Sequence, residues 1–244
     1  MKTDFENIID TVIQGDCLEV MRQLPDQCVD LVLTDPPYEF ISKKPYGGGF
    51  MTNENKKYLD RIKDSFGMSY CPELYLAECQ RVLRKFNGYF FTNKSLLVKY
   101  ICFAEQNKYK WDILIWHKPN PVPINNWHYL FDKEYIVYIR ESGATFNSDL
   151  GYKSYCTIKS HPIGTKETSH PTEKPLSILR DLICVSTNEN DIVFDGYLGS
   201  GTTAVACYHT RRRYIGIELN DGYAEMARKR IQAEKEKMAL FNEM

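Results

Sequence analysis

Short β-branched or aromatic runs alternate with amphipathic stretches along most of the chain, and this alternation constrains the fold more than any other feature. Parallel strands need long crossovers that carry the chain back to the same end, and helices supply them. Strands are expected at Thr11–Gln14, Val29–Thr34, Tyr89–Asn93, Trp111–His117, Glu134–Arg140, Asp191–Phe194 and Tyr214–Leu219. Helices are expected over Cys17–Leu24, from Pro72 to about Lys85, and over Ser95–Gln106, Leu176–Ser186 and Thr202–His209. A last, charged helix runs from Gly222 to about Met238, and Pro72 suits a first helical position. The fold class is α/β: a single doubly wound, mostly parallel sheet with helices on both faces. Residues 1–244 read as one domain with two irregular excursions, 39–70 and 141–170.

Bulk composition excludes several classes. At 43% hydrophobic and 26% charged residues the chain is an ordinary globular one. No apolar run approaches the ~18 residues that span a bilayer, and the acidic start MKTDFENIID lacks the layout of a secretory signal. The eight cysteines are scattered without CxxC or His/Cys spacing, which fits reduced thiols in a cytoplasmic protein and no metal. Net charge is −1, yet its distribution is uneven. Residues 1–35 hold two basic and eight acidic side chains, whereas 81–118 hold eight basic ones against Glu105 and Asp112. Such a block either offers a local face to a polyanion or solubilises helix surfaces.

Where the second strand ends stands Asp35-Pro36-Pro37-Tyr38. Two prolines end a sheet ladder and hold the backbone extended, so Asp35 and the Pro36 carbonyl become neighbouring acceptors beside the Tyr38 ring. That set suits an exocyclic amino group whose ring stacks on the tyrosine. Alone, it is equally a strand-ending turn with a chance aromatic.

A glycine-rich turn, Phe194-Asp195-Gly196-Tyr197-Leu198-Gly199-Ser200-Gly201-Thr202-Thr203, lies at a later strand-to-helix junction. Threonine after Gly201 rules out a phosphate-binding P-loop, and the glycine spacing fits a dinucleotide fingerprint poorly. One strand later, Tyr214-Ile215-Gly216-Ile217-Glu218 ends on an acid placed for ribose hydroxyls. Together the two strand ends point to a nucleoside cofactor with an anionic tail. Asp16 is a third strand-end acid, and His170-Pro171-Thr172-Glu173-Lys174-Pro175 is a further cluster, in which Lys174 either holds a carboxylate or is an ordinary solvated lysine.

Taken together these segments resemble the S-adenosylmethionine-dependent amino-methyltransferases of DNA. Asp35 to Tyr38 is similar to their catalytic motif, and Phe194 to Thr203 to their cofactor loop, with Gly196 in place of the usual proline. The order, catalytic motif first and cofactor loop last, is similar to the permuted β-group, whose fold is Rossmann-like. The resemblance implies Asp35, Pro36, Pro37 and Tyr38 as catalytic residues, acting on a base flipped out of the duplex. It implies S-adenosylmethionine as cofactor, S-adenosylhomocysteine as product, and no metal. The implied cofactor residues are Asp16 and Cys17, Asp35, His170, Thr172 and Lys174, then Asp195, Gly196, Gly199, Ser200, Gly201 and Thr202, and finally Glu218 and Leu219. Within that set Asp195 and the amides near Gly199 and Ser200 hold the methionine portion, Thr202 and Lys174 lie near its carboxylate, Glu218 takes the ribose, and Asp16 faces the adenine amino group.

Aspartate at position 35 favours adenine N6 by family analogy. Cytosine N4 methylation, RNA adenine methylation and a non-catalytic nucleic-acid-binding partner are the alternatives. Residues 39–70 are expected to form a mobile DNA-contacting loop, and 141–170 a short target-recognition insertion. Lys43, Lys44, Lys56, Lys57, Arg61, Lys118 and Asn120 are the candidate DNA contacts. Trp127, His128 and Tyr129 either join them or pack, and Trp127 reads as a core or interface residue. The expected partner is double-stranded DNA. The limited reading surface suggests a homodimer, and a bacterial, phage or mobile-element setting suggests a cognate restriction endonuclease.

Overall fold

The computed structural model describes residues 5–37, 70–123, 127, 129–163 and 174–242. The strands are β1 (Thr11–Gln14), β2 (Leu31–Thr34), β3 (Asn87–Thr92), β4 (Lys110–His117), β5 (Lys133–Arg140), β6 (Ile158–Ser160), β7 (Ile192–Asp195) and β8 (Arg213–Glu218). The helices are α1 (Cys17–Met21), α2 (Pro72–Val82), α3 (Lys94–Gln106), α4 (Leu176–Ser186), α5 (Thr202–His209) and α6 (Asp221–Asn242).

The strands form one sheet in the order β1-β8-β7-β2-β3-β5-β4-β6. Among the described strands β5 alone runs against the rest, pairing antiparallel with both β3 and β4. Central strands are buried on both faces, which explains their continuous apolar runs. Val32, Phe90 and Phe194 point into one core with α1, α2 and α3. Leu31, Leu33, Tyr89, Phe91 and Val193 point into the other, with α4, α5 and α6. Each strand thus feeds both layers at the period of two that a pleated backbone imposes.

From β7 the chain crosses through α5 to β8 on one side, and from β2 it crosses through α2 to β3 on the other. The sheet therefore reverses its winding between β7 and β2. Crevices open at such points beyond the carboxyl ends of the strands, where ligands of open α/β sheets bind.

Two expectations need correction. Helix α2 stops at Val82 rather than near Lys85, because Leu83 bridges to Val29 and the Arg84 amide donates to the Val29 carbonyl. The segment expected to be a surface excursion after Arg140 is, through residue 163, packed on the body. It contributes β6 to the sheet edge beside β4. Asn147 donates to the carbonyls of Cys184 and Thr187, and the buried Lys159 meets Asp181 at 3.0 Å, so both α4 and the edge strand hold it. Residues 38–69 and 164–173, with most of the expected mobile loop, lie outside the described residues.

Candidate active site

Four neighbouring parallel strands end on acids along one edge of the sheet: Asp16 just past β1, Glu218 on β8, Asp195 on β7 and Asp35 just past β2. Register places them side by side, with Gln14 opposite Glu218 and Asp195 opposite Gly216. Asp35 follows the buried strand directly and is half-buried, with Pro36 buried behind it.

Asp195 ties the crevice together. Its Oδ1 accepts from the Thr34 hydroxyl at 2.8 Å and from the Tyr197 amide at 3.0 Å, and its Oδ2 accepts from the Thr203 hydroxyl at 2.6 Å. Burial pushes its carboxyl up to about 6, against the pull of these three donors, and the nearby Asp35 charge adds to the rise. Both oxygens are thus engaged in fixing the turn.

The glycines have separate reasons. Gly199 and Gly201 adopt positive φ of 56° and 85°, and a Cβ on Gly201 would sit 3.0 Å from Ala227, where α5 begins against α6. At Gly196 a Cβ would lie 2.4 Å from Cys17 Sγ and 3.0 Å from the Tyr75 hydroxyl. The space under the loop is filled by those two side chains. Tyr70, Tyr75 and Tyr197 form an aromatic cluster here, with ring centroids 5.5–5.9 Å apart.

A nucleoside with an anionic tail suits this donor set. Glu218 accepts from the Gly199 amide and the Asn220 amide, each at 2.8 Å, and a carboxylate oxygen has a second lone pair for a ribose hydroxyl. Burial raises its carboxyl above the ordinary range. The first amides of α5 have no carbonyl partners within that helix and favour negative charge. Asp16 caps α1 by accepting from the Glu19 amide at 2.9 Å, and the adjoining Cys17 is buried. Leu219 is exposed and its carbonyl accepts from Gln14.

Several predicted residues have other work in the structure. Lys174, expected beside a cofactor carboxylate, is buried and hydrogen-bonded to Asp35 Oδ2, with Glu134 Oε2 at 3.4 Å and the Phe91 ring at 5.3 Å. Ser200 and Thr202 are buried, and Arg230 from α6 donates to the Thr202 hydroxyl at 2.9 Å. Lys118, a candidate DNA contact, pairs with Glu134 Oε1 at 2.6 Å. Asn120 is matched at both ends to the backbone of Ile163. Trp127 is no core residue: it is 101% exposed, and Tyr129 and Phe131 stand out beside it. Tyr38, Lys43, Lys44, Lys56, Lys57, Arg61, His128, His170 and Thr172 lie outside the described residues.

Sequence reasoning missed Thr34 and Glu134. An acid in the second position of a strand that is otherwise apolar or aromatic, Lys133-Glu134-Tyr135-Ile136-Val137, was the available signal for the latter.

The chain resembles proteins of one kind. A family model described as DNA methylase, covering N6 and N4 enzymes, matches residues 29–229. The type II methyltransferase M2.MboI of Moraxella bovis is 30% identical over 90% of this chain and 86% of its own length. The crystal structure of an M1.HpyAVI–SAM complex superposes with a TM-score of 0.66 at 26% identity, covering 91% of this chain and 98% of that one. The PvuII DNA methyltransferase, which is cytosine-N4-specific, reaches a TM-score of 0.67 at 16% identity, covering 88% and 84% of the two chains, a likeness of fold alone.

Proposed function

This chain belongs to the N6/N4 family of DNA methylases, and from that premise we propose that it methylates adenine N6 of a base flipped out of double-stranded DNA. The observation that carries the proposal is the Thr34–Asp195 link. It fastens the strand end bearing Asp35 to the glycine loop, so the amino-group acceptor and the cofactor loop share one crevice.

S-adenosylmethionine, when bound, supplies an electrophilic sulfonium methyl. Glu218 and the start of α5 are the groups that would hold it, with Asp16 at the neighbouring strand end. Asp35 and the Pro36 carbonyl accept the two hydrogens of the substrate amino group, directing the nitrogen lone pair away from the ring plane. Once methylated, the substrate nitrogen would have one proton to lose, and Asp35 is the group beside it that would accept it. Direct transfer of this kind needs mainly positioning. Paired with the Lys174 ammonium, the Asp35 carboxylate serves as an acceptor and not a donor. The motif assigns stacking of the base to Tyr38. The exposed Trp127, Tyr129 and Phe131 extend from the segment between Lys118 and Glu134, and are the candidate rim against unstacked DNA.

The test is incubation with labelled S-adenosylmethionine and duplex DNA, single-stranded DNA or RNA, followed by nucleoside mass spectrometry. N6-methyldeoxyadenosine from duplex DNA is the expected product. N4-methyldeoxycytidine would reassign the base, methylated RNA the polymer, and binding without transfer the class.

A further inference from the structure

Glu134 brings to the crevice a carboxylate that no step above uses. It is the second residue of β5, and because that strand is reversed its first residues lie at the same edge as the carboxyl ends of β2 and β7. A second carboxylate so near Asp35 would be unfavourable unless cations separated them. Cations do. Lys118 holds Glu134 Oε1 at 2.6 Å, Glu134 Oε2 faces Lys174 Nζ at 3.4 Å, and Lys174 bonds Asp35. The charges alternate from the rim of the crevice to the proposed catalytic carboxylate.

We propose that Glu134 is a positioning residue of the methyl-transfer site, sharing the Lys174 ammonium with Asp35 so that Asp35 remains a strong acceptor for the substrate amino group. The proposal rests on the reading that Asp35 clamps that group. Were Lys174 paired with Asp35 alone, the ammonium would neutralise the carboxylate it is meant to support and weaken it as an acceptor. Glu134 draws part of that charge to the opposite side, and Lys118 keeps Glu134 from drawing it further.

Burial alone would raise the Glu134 carboxyl, yet the Lys174 and Lys118 ammonium groups hold it below its ordinary range. Burial opposes charge on Lys174 too, and the carboxylates of Asp35 and Glu134 hold it above its ordinary range. Both groups therefore stay charged near neutrality, and the array is a fixed field and not a proton relay. Among the described residues, Asp195 from β7 and Tyr100 from α3 also feel the Asp35 charge, the Phe91 ring lies under Lys174, and the Trp116 ring lies 4.5 Å from the Lys118 ammonium.

The test compares Glu134→Gln with the wild type at saturating DNA. Removing the Glu134 charge is expected to lower kcat about tenfold or more, with KM for S-adenosylmethionine unchanged. The acid limb of the kcat profile should move about one pH unit lower, because Asp35 loses a like-charged neighbour. Glu134→Asp should recover part of kcat, and Lys118→Gln should move the acid limb the other way. Independently of turnover, the ¹³C carboxyl resonance of Asp35, assigned by its loss in Asp35→Asn, should titrate lower in Glu134→Gln. An acid limb and an Asp35 titration that coincide with the wild type would overturn the proposal. So would loss of kcat together with cofactor affinity and thermal stability, without a titration shift. Absence of methyl transfer by the wild type would defeat the methylation reading instead, while the carboxyl titration would still decide the coupling.

Discussion

Thr34 and Asp195 stand 161 residues apart in the chain, and the hydroxyl of the first donates to the carboxylate of the second at 2.8 Å. The bond crosses the point where the sheet reverses its winding, so it sets the spacing between the Asp35 turn and the glycine loop. Asp195 is buried, and each donor it has lowers the cost of keeping a charge there.

Thr34→Val keeps the shape and removes that donor. Leaving a buried carboxylate oxygen short of a partner should cost about 1–3 kcal/mol of stability. Urea denaturation should show the loss, together with weaker S-adenosylmethionine binding by calorimetry. Unchanged stability and affinity would mean that the bond does not fix the crevice.

Asp195 also makes a pH prediction. Its carboxyl ionises at about 6 in the folded protein against an ordinary value of 3.8, so the folded state binds this proton more tightly than the unfolded chain. Its contribution to stability is greatest below pH 4 and falls as pH rises through about 6, by at most on the order of 3 kcal/mol. Asp195→Asn keeps the oxygen that faces Thr34 and Tyr197 and abolishes the titration. The stability of wild type relative to this variant should decline from pH 4 to pH 6, and a flat difference would contradict the assignment.

Asp35→Asn should lower methyl transfer at least about a hundredfold, measured in single turnover, since the acceptor charge is gone. Cofactor affinity should be largely retained, because Lys174 still has Glu134 as a partner. A variant that no longer binds S-adenosylmethionine would show that Asp35 belongs to the cofactor pocket.

Gly196→Ala forces a methyl group against Cys17 Sγ, 2.4 Å from the ideal position. The cost should be about 1–3 kcal/mol. In a double-mutant cycle, Cys17→Ala should relieve much of it. Strict additivity of the two changes would locate the strain elsewhere.

Trp127→Ala and Phe131→Ala remove exposed rings, so thermal stability should change by less than about 0.5 kcal/mol. Affinity for duplex DNA should fall by about 1 kcal/mol or more per stacked ring. Unaltered DNA affinity in both variants would remove this rim from the interface.

The core strands, the winding, the glycine loop and the end of β2 at Asp35-Pro36-Pro37 are legible because each is carried by a local pattern: continuous apolar runs, a proline pair and glycines at a strand-to-helix junction. Lys174 reads toward a cofactor because Pro171 and Pro175 flank it near a helix start, whereas its partners come from the end of β2 and from β5. Glu134 sits where a strand-starting acid ordinarily meets water, and only the reversal of β5 brings it inward. Strand β6 has three residues with one buried, Lys159, too few for any period to show. Trp127 reads as core or interface by residue type, yet it stands exposed in the stretch between β4 and β5.

The pairing of β1 with β8 has a consequence for how the protein is made. Thr11 finds its ladder partner at Ile215, and β2 finds one flank at Val193 and Phe194. A nascent chain therefore carries β1 and β2 out of the ribosome long before β7 and β8 exist. Contacts of such sequence separation are slow to close. The Asp35 turn emerges early, but the crevice around it assembles only once β7 and β8 have been made.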